Sequence, residues 1–172
     1  MWRLVGLSIV LGSSVVVLVM GGSVLLFLHV PALILVVGFT SGLLLWSFGS
    51  RTGMLAVAFG RMVTGKGVEE NAETADIALA ASRYALMSGA IGTLIGFVQM
   101  LASLTDPSQV GPGIATATLA LLYGVVVSEI VCIPVASASG GAPRSRTIPA
   151  LMAGLIAVVC LLQGGMLLLA FA

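Results

Sequence analysis

Apolar positions in this chain gather into five runs, at about residues 4–21, 31–49, 84–104, 113–136 and 148–171, and the polar positions collect between them. Each run approaches or exceeds the roughly 20 residues that an α-helix needs to cross about 30 Å of hydrocarbon. The strands of a membrane barrel would alternate apolar and polar side chains at every second residue, and these runs do not. Backbone polar groups in lipid must be satisfied internally, so continuous apolar runs form helices. The pattern therefore predicts an all-α, polytopic transmembrane helical bundle. Residues 1–50 make an N-terminal transmembrane hairpin, 51–83 a short helical segment, 84–137 a second hairpin, and 138–172 a basic loop with a fifth, C-terminal span. In TDPSQVGPG, residues 105–112 read as the loop of the second hairpin. Thr64-Gly65-Lys66-Gly67 breaks the 51–83 segment. In VEENAETADIALAASRY beyond it, Glu69, Glu70, Glu73 and Asp76 crowd the first turns of a helix, where acids complement the dipole.

Charge orients this pattern. Only 8% of the 172 residues are charged and 59% are hydrophobic, with a mean hydropathy of +1.22, whereas a soluble domain carries about a quarter charged residues. All seven basic residues, Arg3, Arg51, Arg61, Lys66, Arg83, Arg144 and Arg146, fall before the first run, between the second and third, or between the fourth and fifth. By the positive-inside rule the N-terminus and segments 50–83 and 137–147 face the cytoplasm, while 22–30, 105–112 and the C-terminus face outward. Arg3 followed by an apolar core also fits a signal peptide, but a second run follows at once, which favours an uncleaved first span. The last run fits a re-entrant segment as well; its length and lack of charge favour a span. Trp2 and Trp46 lie near the cytoplasmic ends of their runs, as interfacial aromatics do.

Enzyme chemistry has no foothold in this pattern. There is no HExxH, nucleophile elbow or phosphate loop, and His29 is the single histidine. Cys132 and Cys160 lie in apolar runs without CxxC spacing. No enzyme activity, metal, cofactor or nucleic-acid partner is expected. His29, beside Pro31, reads as a solvated loop residue. Gly89, Gly92 and Gly96 share one face of the third run, and Gly92 to Gly96 is a GxxxG spacing that lets another backbone approach. Glu129 lies inside the fourth run, where a lone carboxylate costs at least about 2.5–3.5 kcal/mol. Three readings of it stay open: a titratable group in an ion path, a carboxyl held by Ser128 or a neighbouring subunit, or a group wetted at the interface. Thr118, Leu122, Val125 and Glu129 follow the spacing of one helical face, which puts Thr118 and Glu129 on one lining.

The order of residues across the second hairpin adds a resemblance. Gly92-Thr-Leu-Ile-Gly96, the loop with Asp106-Pro107 and Gly111-Pro112-Gly113, Leu122-Tyr123-Gly124 and Pro134 closely resemble the channel region of the MotA/TolQ/ExbB family, nearest to its MotA branch. Pro31 to Gly38-Phe39-Thr40 is similar to the start of that branch's second span. The resemblance implies four family-like spans in a bacterial inner membrane. It also implies a homo-oligomer, a pentamer in the family, around a single-span partner of the MotB/TolR/ExbD type whose aspartate handles the coupling ion, a proton in much of the family. Thr93 would then face that carboxylate, Tyr123 and Gly124 would shape the adjoining wall, and Pro134 would kink the fourth span. Two departures leave room for a structural or interaction protein without conduction: the branch's entry proline aligns with Leu86, and its paired threonines with Ala120 and Leu121. Its long cytoplasmic segments have no counterpart in the roughly 33 residues between the second and third runs, which argues against a flagellar motor role.

Overall fold

A computed structural model describes residues 29–102 and 107–141, with only the backbone path given for 107–110. The predicted first and fifth spans lie outside the described residues, as do Arg3, Asp106, Arg144 and Arg146. Every described element is helical. They are α1 (Val30–Phe48), a 3-10 turn (Gly49–Thr52), α2 (Gly53–Val63), α3 (Ala72–Ala102), α4 (Pro107–Val126), a π turn (Val127–Cys132) and α5 (Ile133–Ala138). Three stretches, Val30–Val63, Ala72–Ala102 and Gly111–Ala138, are long and apolar enough to cross a membrane.

Local chemistry sets the ends. Pro31 sits in the first turn of α1, where its missing N–H forfeits no bond. Gly49, at φ 56°, ends α1, and its N–H still closes on the Leu45 carbonyl. Asn71 caps α3, its Oδ1 accepting the Glu73 N–H at 2.9 Å. Glu69 and Glu70 therefore precede the helix they were expected to open, and Glu73 and Asp76 alone occupy its first turns. Within the 51–83 segment α2 stands alone, and residues 72–83 are the opening turns of the 31-residue α3.

One further expectation is corrected. The loop predicted over 105–112 is helical from Pro107 onward, and Pro112 lies inside α4. Proline is tolerated within the opening turns of a helix, so Asp-Pro and Gly-Pro-Gly here start a helix instead of breaking one. At the other end helical structure passes through Pro134 to Ala138. The irregularity falls in the π turn just before the proline, a common accommodation for a missing N–H.

Three clusters stack along the bundle. The first joins Ala32 and Val36 of α1 to Leu119 and Ala120 of α4. The second joins Leu44, Ile77, Ala81 and Cys132, and the third joins Ala58 of α2 to Ala78, Val135 and Ala136. Helix α1 buries a single stripe, Ala32, Val36, Thr40 and Leu44, and turns Leu33, Ile34, Val37, Phe39, Leu45 and Trp46 outward. Such one-sided burial suits a helix whose remaining surroundings are lipid.

Candidate functional site: the α3–α4 hairpin

Helices α3 and α4 meet along a seam with almost no side chain in it. A Cβ on Gly96 would fall 2.5 Å from the Ala117 nitrogen, and one on Gly124 would fall 2.6 Å from the Ala85 oxygen. Gly92 faces Ala120, Gly89 faces Gly124, and Gly113 lies against Met100. The glycine face read from the sequence thus meets α4 of the same chain, and Gly124 lies in the same seam. Backbones so close leave room for little besides hydrogen and small polar groups.

Thr93 supplies such a group. It is buried, and its hydroxyl is shared between the Gly89 carbonyl at 2.9 Å and the Ala117 carbonyl of α4 at 3.0 Å. Further hydroxyl pairs tie the helices at successive heights: Thr40 to Ser88 at 2.9 Å, Ser47 to Tyr84 at 2.9 Å, and Ser82 to Ser128 at 2.7 Å. Satisfied in this way, a hydroxyl inside an apolar bundle avoids its desolvation cost.

These pairs also fix levels. The end of α1 and the start of the uninterrupted apolar run of α3 share one height through Ser47 and Tyr84, and Ser82 brings Ser128 to within about one turn of it. Glu129 adjoins Ser128, so it lies at the level of Ser82 and Arg83. Its chain position concealed this, because the helical path beyond it continues to Ala138. The π turn runs from Val127 to Cys132 and contains Glu129. A π turn widens the helix by one residue, frequently at functional sites.

Thr118 and Glu129 are both exposed at the surface of the described bundle. Leu122 and Val126 continue that exposed face between them, while Val125 is only half exposed. The Thr118 hydroxyl donates to the Ile114 carbonyl at 2.8 Å. Tyr123 points elsewhere: half buried beside Leu35, it accepts the His29 N–H on its hydroxyl at 3.1 Å. His29 is therefore no free loop residue. It precedes α1, half buried, and its Nδ1 has no hydrogen-bond partner among the described residues. The four residues assigned to an ion path occupy three environments: Thr93 in the seam, Tyr123 against α1, and Thr118 with Glu129 outside. Ala120 and Leu121 are buried, in the seam or beside it. Sequence reasoning missed the Ser82–Ser128 bond and the π turn. Among the described residues no group of histidine, cysteine and carboxylate side chains is placed to hold a metal.

Comparison with known proteins matches residues 61–142, from the last turn of α2 through Gly141 and one residue beyond, to the MotA/TolQ/ExbB proton channel family. Over this stretch the chain is similar to that family. Motility protein A of Aquifex aeolicus (strain VF5) is 53% identical over 49 residues, which are 28% of this chain and 19% of that protein. Chemotaxis protein PomA of Vibrio alginolyticus is 48% identical over 48 residues, 28% of this chain and 19% of its own length. An uncharacterized protein, YtxD of Bacillus subtilis (strain 168), is 44% identical over 57 residues, 33% of this chain and 21% of that one. The chain spans about a fifth of the length of these curated relatives. The MotA branch read from GTLIG and LYG agrees with the motility relatives. The match also agrees with the lack of enzyme motifs, since the family is one of channels.

Proposed function

We propose that this chain is the channel-forming subunit of an ion-driven membrane machine of the MotA/TolQ/ExbB type. It would work as a homo-oligomer, five copies by family pattern, around a single-span partner of the MotB/TolR/ExbD type, in a bacterial inner membrane with its N-terminus cytoplasmic. The observation that carries this reading is the family match over residues 61–142, which covers the whole close-packed α3–α4 hairpin. In this proposal Thr118 and Glu129 face a neighbouring subunit or the partner, because both are exposed on the surface of a single chain. Thr93 acts on the ion path through its oxygen lone pairs, its proton being engaged by the Gly89 and Ala117 carbonyls. Tyr123 and Gly124 shape the wall beside it, and Pro134 with the π turn marks the basic end.

A second reading is favoured by Ala120 and Leu121. They stand buried where the family's MotA branch carries hydroxyls, so an assembly with the same packing and no conduction is the alternative. Single-particle imaging of the complex purified from its own membrane separates the two. Five copies around one or two foreign helices, with proton flux in liposomes that Glu129→Gln abolishes, is the result expected of a channel. A ring closed by lipid, or one with no flux, assigns the chain to the scaffold.

A further inference from the structure

Below the level of Tyr84, α2 leans over residues 68–74 and leaves a cleft of about 490 Å³, within the range of small-ligand sites. Its wall is mixed. Met54 and Val57 are apolar and exposed, Ser50 and Asn71 are polar, and Arg51, Arg61 and Glu69 bring charge of both signs. Each arginine already has a carboxylate: Arg51 pairs with Glu73 at 2.8 Å and Arg61 with Glu69 at 2.7 Å. Both pairs are largely exposed, and exposed pairs contribute little, so either can exchange partners at small cost.

The cleft also lies where a membrane surface is expected. Helix α1, 19 residues long, spans about 28 Å, nearly the hydrocarbon thickness. Trp46 is 91% exposed two residues before its end, as an interfacial anchor would be. Helix α2 then carries Met54, Val57 and Val63 outward, with Arg51 in the turn before it and Arg61 in its last turn, the composition of a helix lying in the headgroup layer. A purely anionic headgroup would meet Glu69 and Glu73 as well as the arginines. A headgroup with a phosphate and a primary ammonium meets a partner of opposite charge at each end.

We propose that the cleft under α2 is a headgroup site for a zwitterionic aminophospholipid, its phosphate taken by Arg51 and Arg61, its ammonium by Glu69, and its acyl chains led off along Met54 and Val57. The lipid thereby clamps α2 to the start of α3. The site is independent of ion conduction.

Native mass spectrometry of the full chain in detergent, offered an equal mixture of phosphatidylethanolamine, phosphatidylglycerol and phosphatidylcholine of the same acyl composition, tests it. Phosphatidylethanolamine should be retained about tenfold over the other two, the ratio expected of one added charge-assisted bond. Arg51→Gln with Arg61→Gln should remove that retention, and Glu69→Gln should shift the preference to phosphatidylglycerol. Glu69 is 82% exposed, so its variant keeps the test valid should the double variant fold poorly. Equal retention of the three lipids, retention unchanged in Glu69→Gln, or displacement of the lipid by soluble phosphoethanolamine as readily as by its short-chain lipid would overturn the proposal.

Discussion

Adding one carbon to Gly96 tests whether the α3–α4 seam is as close as the structure draws it. In Gly96→Ala the new Cβ meets the Ala117 nitrogen at 2.5 Å and its Cα and Cβ at 2.7 Å, two of the three being backbone atoms that cannot swing aside. Carbon contacts are comfortable at about 3.5–4.0 Å, so the helices must part by roughly an ångström. Overpacking of this kind costs about 1–3 kcal/mol. Separation also stretches the 3.0 Å bond from Thr93 to the Ala117 carbonyl, which forfeits about 0.5–1.5 kcal/mol more. Alanine's better helix propensity returns up to about 1 kcal/mol, leaving a net loss of about 0.5–3.5 kcal/mol. Gly42→Ala is the control, since nothing among the described residues lies within 4 Å of the added carbon. Thermal unfolding of the purified protein, followed by fluorescence-detected size exclusion, should show Gly96→Ala melting several degrees lower while Gly42→Ala melts at or above the unaltered protein. Equal melting of the two variants would refute the seam geometry.

Gly92→Ala should be rescued by Ala120→Gly, because its close contact, 2.5 Å, is with the Ala120 methyl rather than backbone; the same melting assay reads the rescue. Thr93→Val should lose about 1 kcal/mol in that assay and Thr93→Ser much less, since serine keeps the hydroxyl that bridges Gly89 and Ala117. A double-mutant cycle of Ser82→Ala and Ser128→Ala should give a coupling of about 0.5–1.5 kcal/mol for their 2.7 Å bond, and no coupling would mean that the two helices do not meet at this height. Arg51→Gln should shift stability by less than about 1 kcal/mol, as its pair with Glu73 is exposed.

Much of this arrangement was legible from residue order. Pro31 and the apolar run after it place α1 to within a residue, and the glycines at 89, 92 and 96 announce a close-packed face. Pro107 and Gly111-Pro112-Gly113 misled, because the same residues that make turns in water also serve the first turns of a helix. The π turn leaves no trace in hydropathy, since one extra residue per turn changes no side chain's polarity; Pro134 just downstream was its single local signal. The height of Glu129 was hidden for a different reason. Counting residues from a loop measures distance along one helix, whereas the Ser82–Ser128 bond measures it against a neighbour.

The π turn divides the last rod into two decks keyed to each other by angle. In an α-helix each residue advances about 100°, so the one extra residue between Val127 and Cys132 swings everything beyond it by about that amount. Upstream, the rod presents Gly113, Ala117, Ala120 and Gly124 to α3; downstream, the swing lets Val135 and Ala136 seat against Ala78 and Ala58 of α2. Deleting Ile130 would let the turn close as plain α-helix with both decks still aligned, whereas straightening it with every residue kept would misalign them, like a shaft whose keyway has been cut a quarter-turn out. The lower deck would then present Pro134 or Ser137 where Val135 belongs, and α2 would lose its seat while the membrane seam stayed closed.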